Sequence, residues 1–166
     1  MANSYCIGNL KNKIIKELIK DSDFINAIGS QTVPLNTPEK YIGTHIFDFN
    51  QNPNTINDVM TFIAVTVNIP RLFDNGDVFI KPEIEFYIVS HERHMVVDNI
   101  PKVRQNRNDY ISQLLDLKFN GRSNFSIGTL KLRSNVEGTI QQSYLYRRMV
   151  FECLDLNDSL CDEDVE

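Results

Sequence analysis

The segment from Arg107 to Leu132, RNDYISQLLDLKFNGRSNFSIGTLKL, constrains the fold of this chain more than any other stretch. An amphipathic run ends in Asn120-Gly121, crosses a short polar turn and re-enters as an alternating strand. Glycine closes a helix by taking the left-handed conformation that a β-carbon disfavours, so Gly121 is where the helix should stop. A helix is thereby joined to a strand at fixed spacing by residues that carry no chemistry. The segment is architecture.

The rest of the chain supplies what that unit packs against. Leu10, Ile14, Ile15, Leu18 and Ile19 recur at helical spacing among Lys11, Lys13, Lys16, Glu17 and Lys20, which predicts a helix over about residues 8–20 with one buried stripe. Asp21 or Ser22 can cap a second short helix holding Phe24, Ile25 and Ile28, stopped by Gly29. From Ser30 to Asp58 the signals change to Pro34, Pro38, Pro53 and five Asn, so 30–58 reads as a long irregular connection with one short edge strand or turn within Tyr41–Phe47. Connections of that length are uncommon inside a compact domain and often contact partners.

Met60 to Ile69 alternates Ile63, Val65, Val67 and Ile69 against Phe62, Ala64, Thr66 and Asn68, as a strand does. After the turn-like Asp74-Asn75-Gly76-Asp77, Val78 to Ser90 alternates again. The two runs should pair antiparallel, since so short a link cannot hold a parallel crossover, with an edge or bulge at Pro82. His91–Arg107 is a second irregular stretch. A helix over about Asn108–Asn120 follows, with Ile111, Leu114, Leu115, Leu117 and Phe119 as its inward candidates, and then strands over Gly128–Val136 and Ser143–Leu156. The expected class is α+β, a mostly antiparallel four- to five-stranded sheet with two main helices packed on one face. Residues 1–156 form one domain, and 157–166 an acidic C-terminal tail.

Charge separates that tail from the body. The net charge is −5, but Asp155, Asp158, Asp162, Glu163, Asp164 and Glu166 place six acids among the last twelve residues, leaving about +1 for everything before them. A near-neutral body is unlike the strongly basic surface of a duplex-DNA reader. Cys6, Cys153 and Cys161 are odd in number and widely spaced, which suggests neither a disulfide framework nor a zinc cage. The first twenty residues lack the apolar core of a secretory signal, and no window has the ~18 apolar residues of a membrane helix, so a cytosol-like compartment and no membrane are expected.

The reactive-looking groups do not assemble into a pattern. His91-Glu92-Arg93-His94 sets two imidazoles three apart, whereas the zinc-protease helix needs four, so it reads as an exposed polar loop after a strand. None of the seven glycines sits in a phosphate loop, and Gly29-Ser30 lacks the flanking residues of a hydrolase elbow. Glu83 and Glu85 share one face of a strand and read as its solvated side. Lys102, Arg104 and Arg107, with Arg147-Arg148 in a late strand, could give weak, salt-sensitive phosphate contact. No aromatic stacks within the basic run, so it reads as a solvated loop, a channel lining or a site for an acidic neighbour. No catalytic, cofactor or metal residue is expected, and no enzyme.

Taken together, LKNKIIKELIKDSDFINAI, a hairpin ending FIKPEIEFYIVSH, the RNDYISQLLDLKFNGRSNFSIGTLKLRS block and a closing YLYRRMVFECLDLN resemble the tail-terminator or head-tail joining proteins of tailed bacteriophages. The sharpest local feature is Arg107-x-Asp109 opening a helix, then Asn120-Gly121-x-x-x-Phe125-x-Ile127-Gly128 before a Leu-x-Leu strand. The resemblance implies a virion structural subunit in the tail or neck, assembled in the host cytoplasm as a homo-oligomeric ring, usually hexameric. Such a ring closes the tail tube, meets the tube protein and the neck or head-completion protein, and passes DNA through its lumen unread. Phe47, Phe49, Phe73, Arg93, Lys102, Arg104 and Arg107 are then the interface or lumen candidates. A capsid-side stopper or adaptor ring and a small non-specific nucleic-acid-binding module are the alternatives.

Overall fold

The computed structural model describes residues 4–51, 58–70, 79–125, 128–140, 143–153 and 155–156. Two helices open the chain, α1 (Ser4–Ile19) and α2 (Ser22–Ile28). The first buries Leu10, Ile14, Ile15 and Leu18, the stripe its spacing demands. The second is bounded as expected: the Asp21 carboxylate accepts from the Asp23 and Phe24 amides, and Gly29 closes the end at φ +65°.

The 30–58 connection is pinned at its middle. A 3-10 turn, Pro38–Tyr41, buries the Tyr41 ring completely, and its hydroxyl donates to the Val33 carbonyl at 3.0 Å. Strand β1 (Ile46–Phe47) then joins the sheet edge, parallel to β2 (Thr61–Asn68). The antiparallel partner of β2 is β4 (Glu83–His91), in unbroken register from Thr61 opposite Ser90 to Asn68 opposite Glu83. The anticipated 78–90 strand is divided in two. Phe79–Ile80, β3, leaves the main sheet to pair with β7 (Asp155–Leu156). The break falls at Lys81-Pro82, where proline has no amide to donate and its carbonyl takes the Cys153 amide.

Helix α3 (Arg107–Phe119) leads through Gly121, at φ +82°, into β5 (Lys131–Ile140), and β6 (Tyr144–Glu152) completes a five-stranded sheet of order β1-β2-β4-β6-β5. The expected α+β class is the observed one. Helices α1 and α3 pack against the sheet, and α2 against both of them. On that face Ile63, Val65 and Val67 of β2, Ile84, Phe86 and Ile88 of β4, and Met149 and Phe151 of β6 meet the α1 stripe and Ile111, Leu115 and Phe119 of α3. Phe86 and Phe119 stand 5.1 Å apart, ring centre to ring centre, with Phe151 edge-on at 5.7 Å from Phe86. Leu117, anticipated inward, is exposed: two residues beyond Leu115 the helix has turned more than half a revolution.

The opposite face has its own smaller apolar cluster: Phe47, Phe62, Val89 and Tyr144, flanked by Met60, Tyr87, Ile140 and Tyr146. Gly138 faces Tyr146 across the β5–β6 pair, and a β-carbon there would meet the Tyr146 ring at 2.7 Å. The missing side chain lets the tyrosine lie over the β5 backbone and stack on Tyr87, with ring centres 5.4 Å apart.

Candidate functional site

The two irregular connections, 30–58 and 91–107, meet around Gly29, His45, His94 and Arg107. Arg107 is the first residue of α3 and is 1% exposed. Its guanidinium donates from Nε to the His94 carbonyl (2.7 Å), from Nη1 to the Ala27 carbonyl (2.7 Å) and the Asn99 side-chain oxygen (3.3 Å), and from Nη2 to the Val96 carbonyl (2.8 Å). Its backbone amide donates to the Met95 carbonyl. The nearest carboxylate, Asp98, lies 3.9 Å away with a largely exposed side chain, so backbone dipoles do most of the neutralising. One of them is a last-turn carbonyl of α2, at the helix end that favours a cation. Burial pulls the Arg107 pKa below the usual arginine value, and Asp98 partly offsets that.

Arg107 is therefore no lumen or interface side chain, contrary to expectation; it staples α2, the 92–106 connection and α3 together. The oxygens that hold it come from Ala27 and from 94–99, and nothing in the spacing of a basic run announces them. Phe47 is corrected likewise. It is 8% exposed, because its ring sits 5.5 Å from Phe49 and 5.9 Å from Phe62 in the second apolar cluster.

Beside the staple lies a buried polar chain. His94, expected in an exposed loop, is 7% exposed in the 3-10 turn Glu92–His94. Its Nδ1 is 2.8 Å from Thr61 Oγ1 and its Nε2 3.1 Å from the Gly29 carbonyl. Thr61 Oγ1 is 2.7 Å from Ser90 Oγ, Ser90 donates to Asn108 Oδ1 at 2.6 Å, and Asn108 Nδ2 donates to the Leu145 carbonyl at 3.1 Å. His45 is buried too, and its Nδ1 donates to the Thr61 carbonyl at 2.7 Å. Burial lowers the pKa of both histidines, and for His94 the Arg107 cation adds to the effect.

His94 lines two clefts, as do Gly29, Ser30 and Gln31. One, of 510 Å³, is lined by Ser30, Thr32, Thr44, His45 and Asp58 among others; the second, of 350 Å³, by Arg93, Val96, Asp98 and Asn99. Among the described residues no group of three or more His, Cys, Asp or Glu is placed to hold a metal ion. Thr61, Ser90, Asn108 and His45 were not singled out in the sequence. The available signal was that Thr61 and Ser90 continue the core-facing alternation of their strands, where a hydroxyl needs a buried partner.

Of the other candidates, Phe49 is 52% exposed, Arg93, Lys102 and Arg104 are exposed, and Phe73 lies outside the described residues. Lys102 holds φ +71°, an uncommon conformation for a residue with a β-carbon. Arg147 and Arg148 are both paired. Arg147 turns toward the helix face against Asp109 and Glu137, and Arg148 reaches Glu85 on the other face at 2.7 Å. Glu85 is thus an ion-pair partner on a half-covered surface and not a freely solvated side chain.

The sequence model of the YomW family matches residues 12–153, a span running from within α1 past the end of β6 and including the whole polar cluster. This chain belongs to the YomW family. The family is phage-related, of the Bacillus prophage type, so the phage character implied by the resemblance holds at that level. No curated protein and no solved structure matches this YomW-family chain. Among its described residues no helix is long and apolar enough to cross a membrane.

Proposed function

We propose that this YomW-family protein is a virion structural subunit of the head-tail junction, a tail terminator that assembles as a ring, caps the tail tube and joins it to the neck. The observation that carries the proposal is where apolar surface is left uncovered. Of the seven large exposed hydrophobic side chains among the described residues, Leu35, Ile42 and Phe49 lie in the 30–58 connection, Val59 directly follows it and Val96 lies in the 91–107 connection, while Leu117 on α3 and Val136 on β5 lie elsewhere. These connections meet at the His94 clefts, and uncovered apolar surface on ordered loops is characteristic of protein contact sites. Membership of a phage-related family is in keeping with a phage component.

Loops suit the contact better than strand addition. The outer edge of β5 is long, but Lys131, Arg133 and Glu137 line the strand and a bulge interrupts it between Leu132 and Ser134, devices that discourage edge-to-edge pairing. A loop surface meeting a different surface on the next copy is a heterologous contact, which closes into a ring when the rotation allows. A nucleic-acid-binding module has less support: of five bases invoked for it, Arg107 is buried and Arg147 and Arg148 are held by carboxylates, which leaves Lys102 and Arg104 exposed.

Native mass measurement of the purified protein, alone and with tail tubes, tests the proposal. A closed oligomer, or one forming on tubes, is expected. A protein that stays monomeric and never joins particles contradicts it. Co-purification with the tube protein supports the terminator, whereas co-purification with only a capsid-side adaptor assigns the stopper or adaptor ring instead.

A further inference from the structure

The buried chain from Gly29 to Leu145 contains five hydrogen-bond contacts, and each needs one proton. The Asn108 amide is oriented by the Leu145 carbonyl, which can only accept, so Asn108 Oδ1 faces Ser90 and the Ser90 hydroxyl must donate to it. With its one proton committed, Ser90 can only accept from Thr61, which commits the Thr61 proton in turn. Thr61 Oγ1 must then accept from His94 Nδ1, while the Gly29 carbonyl accepts from His94 Nε2. Both ring nitrogens carry hydrogen only in the imidazolium. A neutral His94 leaves the chain one proton short, and one pair of lone-pair atoms between 2.6 and 3.1 Å apart must separate.

We infer that His94 is a proton-operated latch: protonation closes all five contacts and ties the α2 C-terminus to β2, β4, α3 and β6, and deprotonation opens the chain at one of them. The charged groups around the ring set where it acts. Arg107 from α3 and His45 ahead of β1 oppose the added charge, and Asp98 in the 92–106 connection favours it; Arg93 adjoins it on its own turn, and Asp58 lines the same cleft. Closing the latch fixes Gly29 and His94, which line both clefts between the two connections. It therefore bears on the proposed contact surface, but its geometry does not depend on what docks there.

The test is an NMR titration of the His94 ring in the full-length protein and in Ser90→Ala. Ser90 does not touch His94, yet its removal frees the Thr61 proton to be donated to Nδ1, so the neutral ring becomes fully satisfied. The His94 pKa is expected to fall by about one unit in the variant, a tenfold loss of proton affinity, because the neutral ring gains a buried hydrogen bond at no cost to the rest of the chain. An unchanged or raised pKa overturns the inference. Should Ser90→Ala not fold, amide exchange in the wild-type protein decides. Corrected for its intrinsic pH dependence, protection of the Gly29 and Arg107 amides relative to Phe86 rises as His94 protonates; no such rise overturns the inference equally.

Discussion

Gly29 and Arg107 occupy space that neither could share with a larger neighbour: a β-carbon on Gly29 would overlap Arg107 Nη1 and lie 2.9 Å from Cζ. The same glycine holds φ +65° to close α2. Arg107 cannot swing aside cheaply, since its guanidinium is fixed by three carbonyls and Asn99. Gly29→Ala therefore costs twice, ~1 kcal/mol for the left-handed backbone and a further 1–3 kcal/mol for the displaced staple. Urea denaturation should show a loss of roughly 2–4 kcal/mol; a loss below about 0.5 kcal/mol would mean that the staple is soft.

Arg107→Lys tests the fork itself. Lysine keeps the charge but cannot reach the His94, Ala27 and Val96 carbonyls together, so buried acceptors lose their donors. A destabilisation of roughly 3–5 kcal/mol is expected by the same denaturation assay. Arg107→Met should be at least as damaging. Gel-shift behaviour at low and moderate salt should be unchanged in any variant that folds, because a buried arginine contributes no phosphate contact.

How much of this could be read in advance depends on how local its cause is. The Gly29 stop, the turn at Gly121 and the alternation in β2 and β4 are set by residues a few positions apart and stand where expected, and of the two caps left open, Asp21 or Ser22, the chain uses Asp21. Arg107 and His94 went the other way. Each looked like part of a polar loop, and each is buried because oxygens from Ala27, Gly29, Thr61 and Val96 converge on it, a product of tertiary folding with no trace in spacing. Phe47 has the same explanation, being covered by Phe62 from the neighbouring strand and by Phe49. For Phe49, Arg93, Lys102 and Arg104 it was exposure alone that could be read, because surface is the default for an irregular segment.

His45 gives the protein a pH dependence whose sign follows from its burial. Its folded-state pKa lies below the ordinary histidine value, chiefly through desolvation, with the Thr61 carbonyl opposing. The unfolded chain therefore binds a proton more readily than the folded one. Stability is retained above the unfolded pKa of ~6.5 and declines as pH falls from there toward the folded value. His45→Asn keeps a donor for the Thr61 carbonyl and removes the titration, so the slope between pH 7.5 and about 5.5 should flatten. An identical slope in the variant would assign the acid sensitivity to other groups.

Tyr146 and Gly138 form a separable pair on the other face. Gly138→Ala pushes the ring off the β5 backbone and should cost roughly 1–2 kcal/mol; in Tyr146→Ala the same glycine substitution should cost almost nothing. A double-mutant cycle by urea denaturation measures the coupling, and additivity would show that the ring has room to move.

Assembly through the two connections is the central claim, and sedimentation of the wild-type protein beside Leu35→Asp/Val96→Asp, with and without tail tubes, tests it most directly. Both side chains are more than half exposed, so the variant should unfold at the wild-type urea concentration. Wild-type protein is expected to sediment as a closed oligomer or to bind tubes as one, and the folded variant to stay monomeric and unbound. Identical assembly of the two proteins, or a wild-type monomer that ignores tubes, would contradict the account.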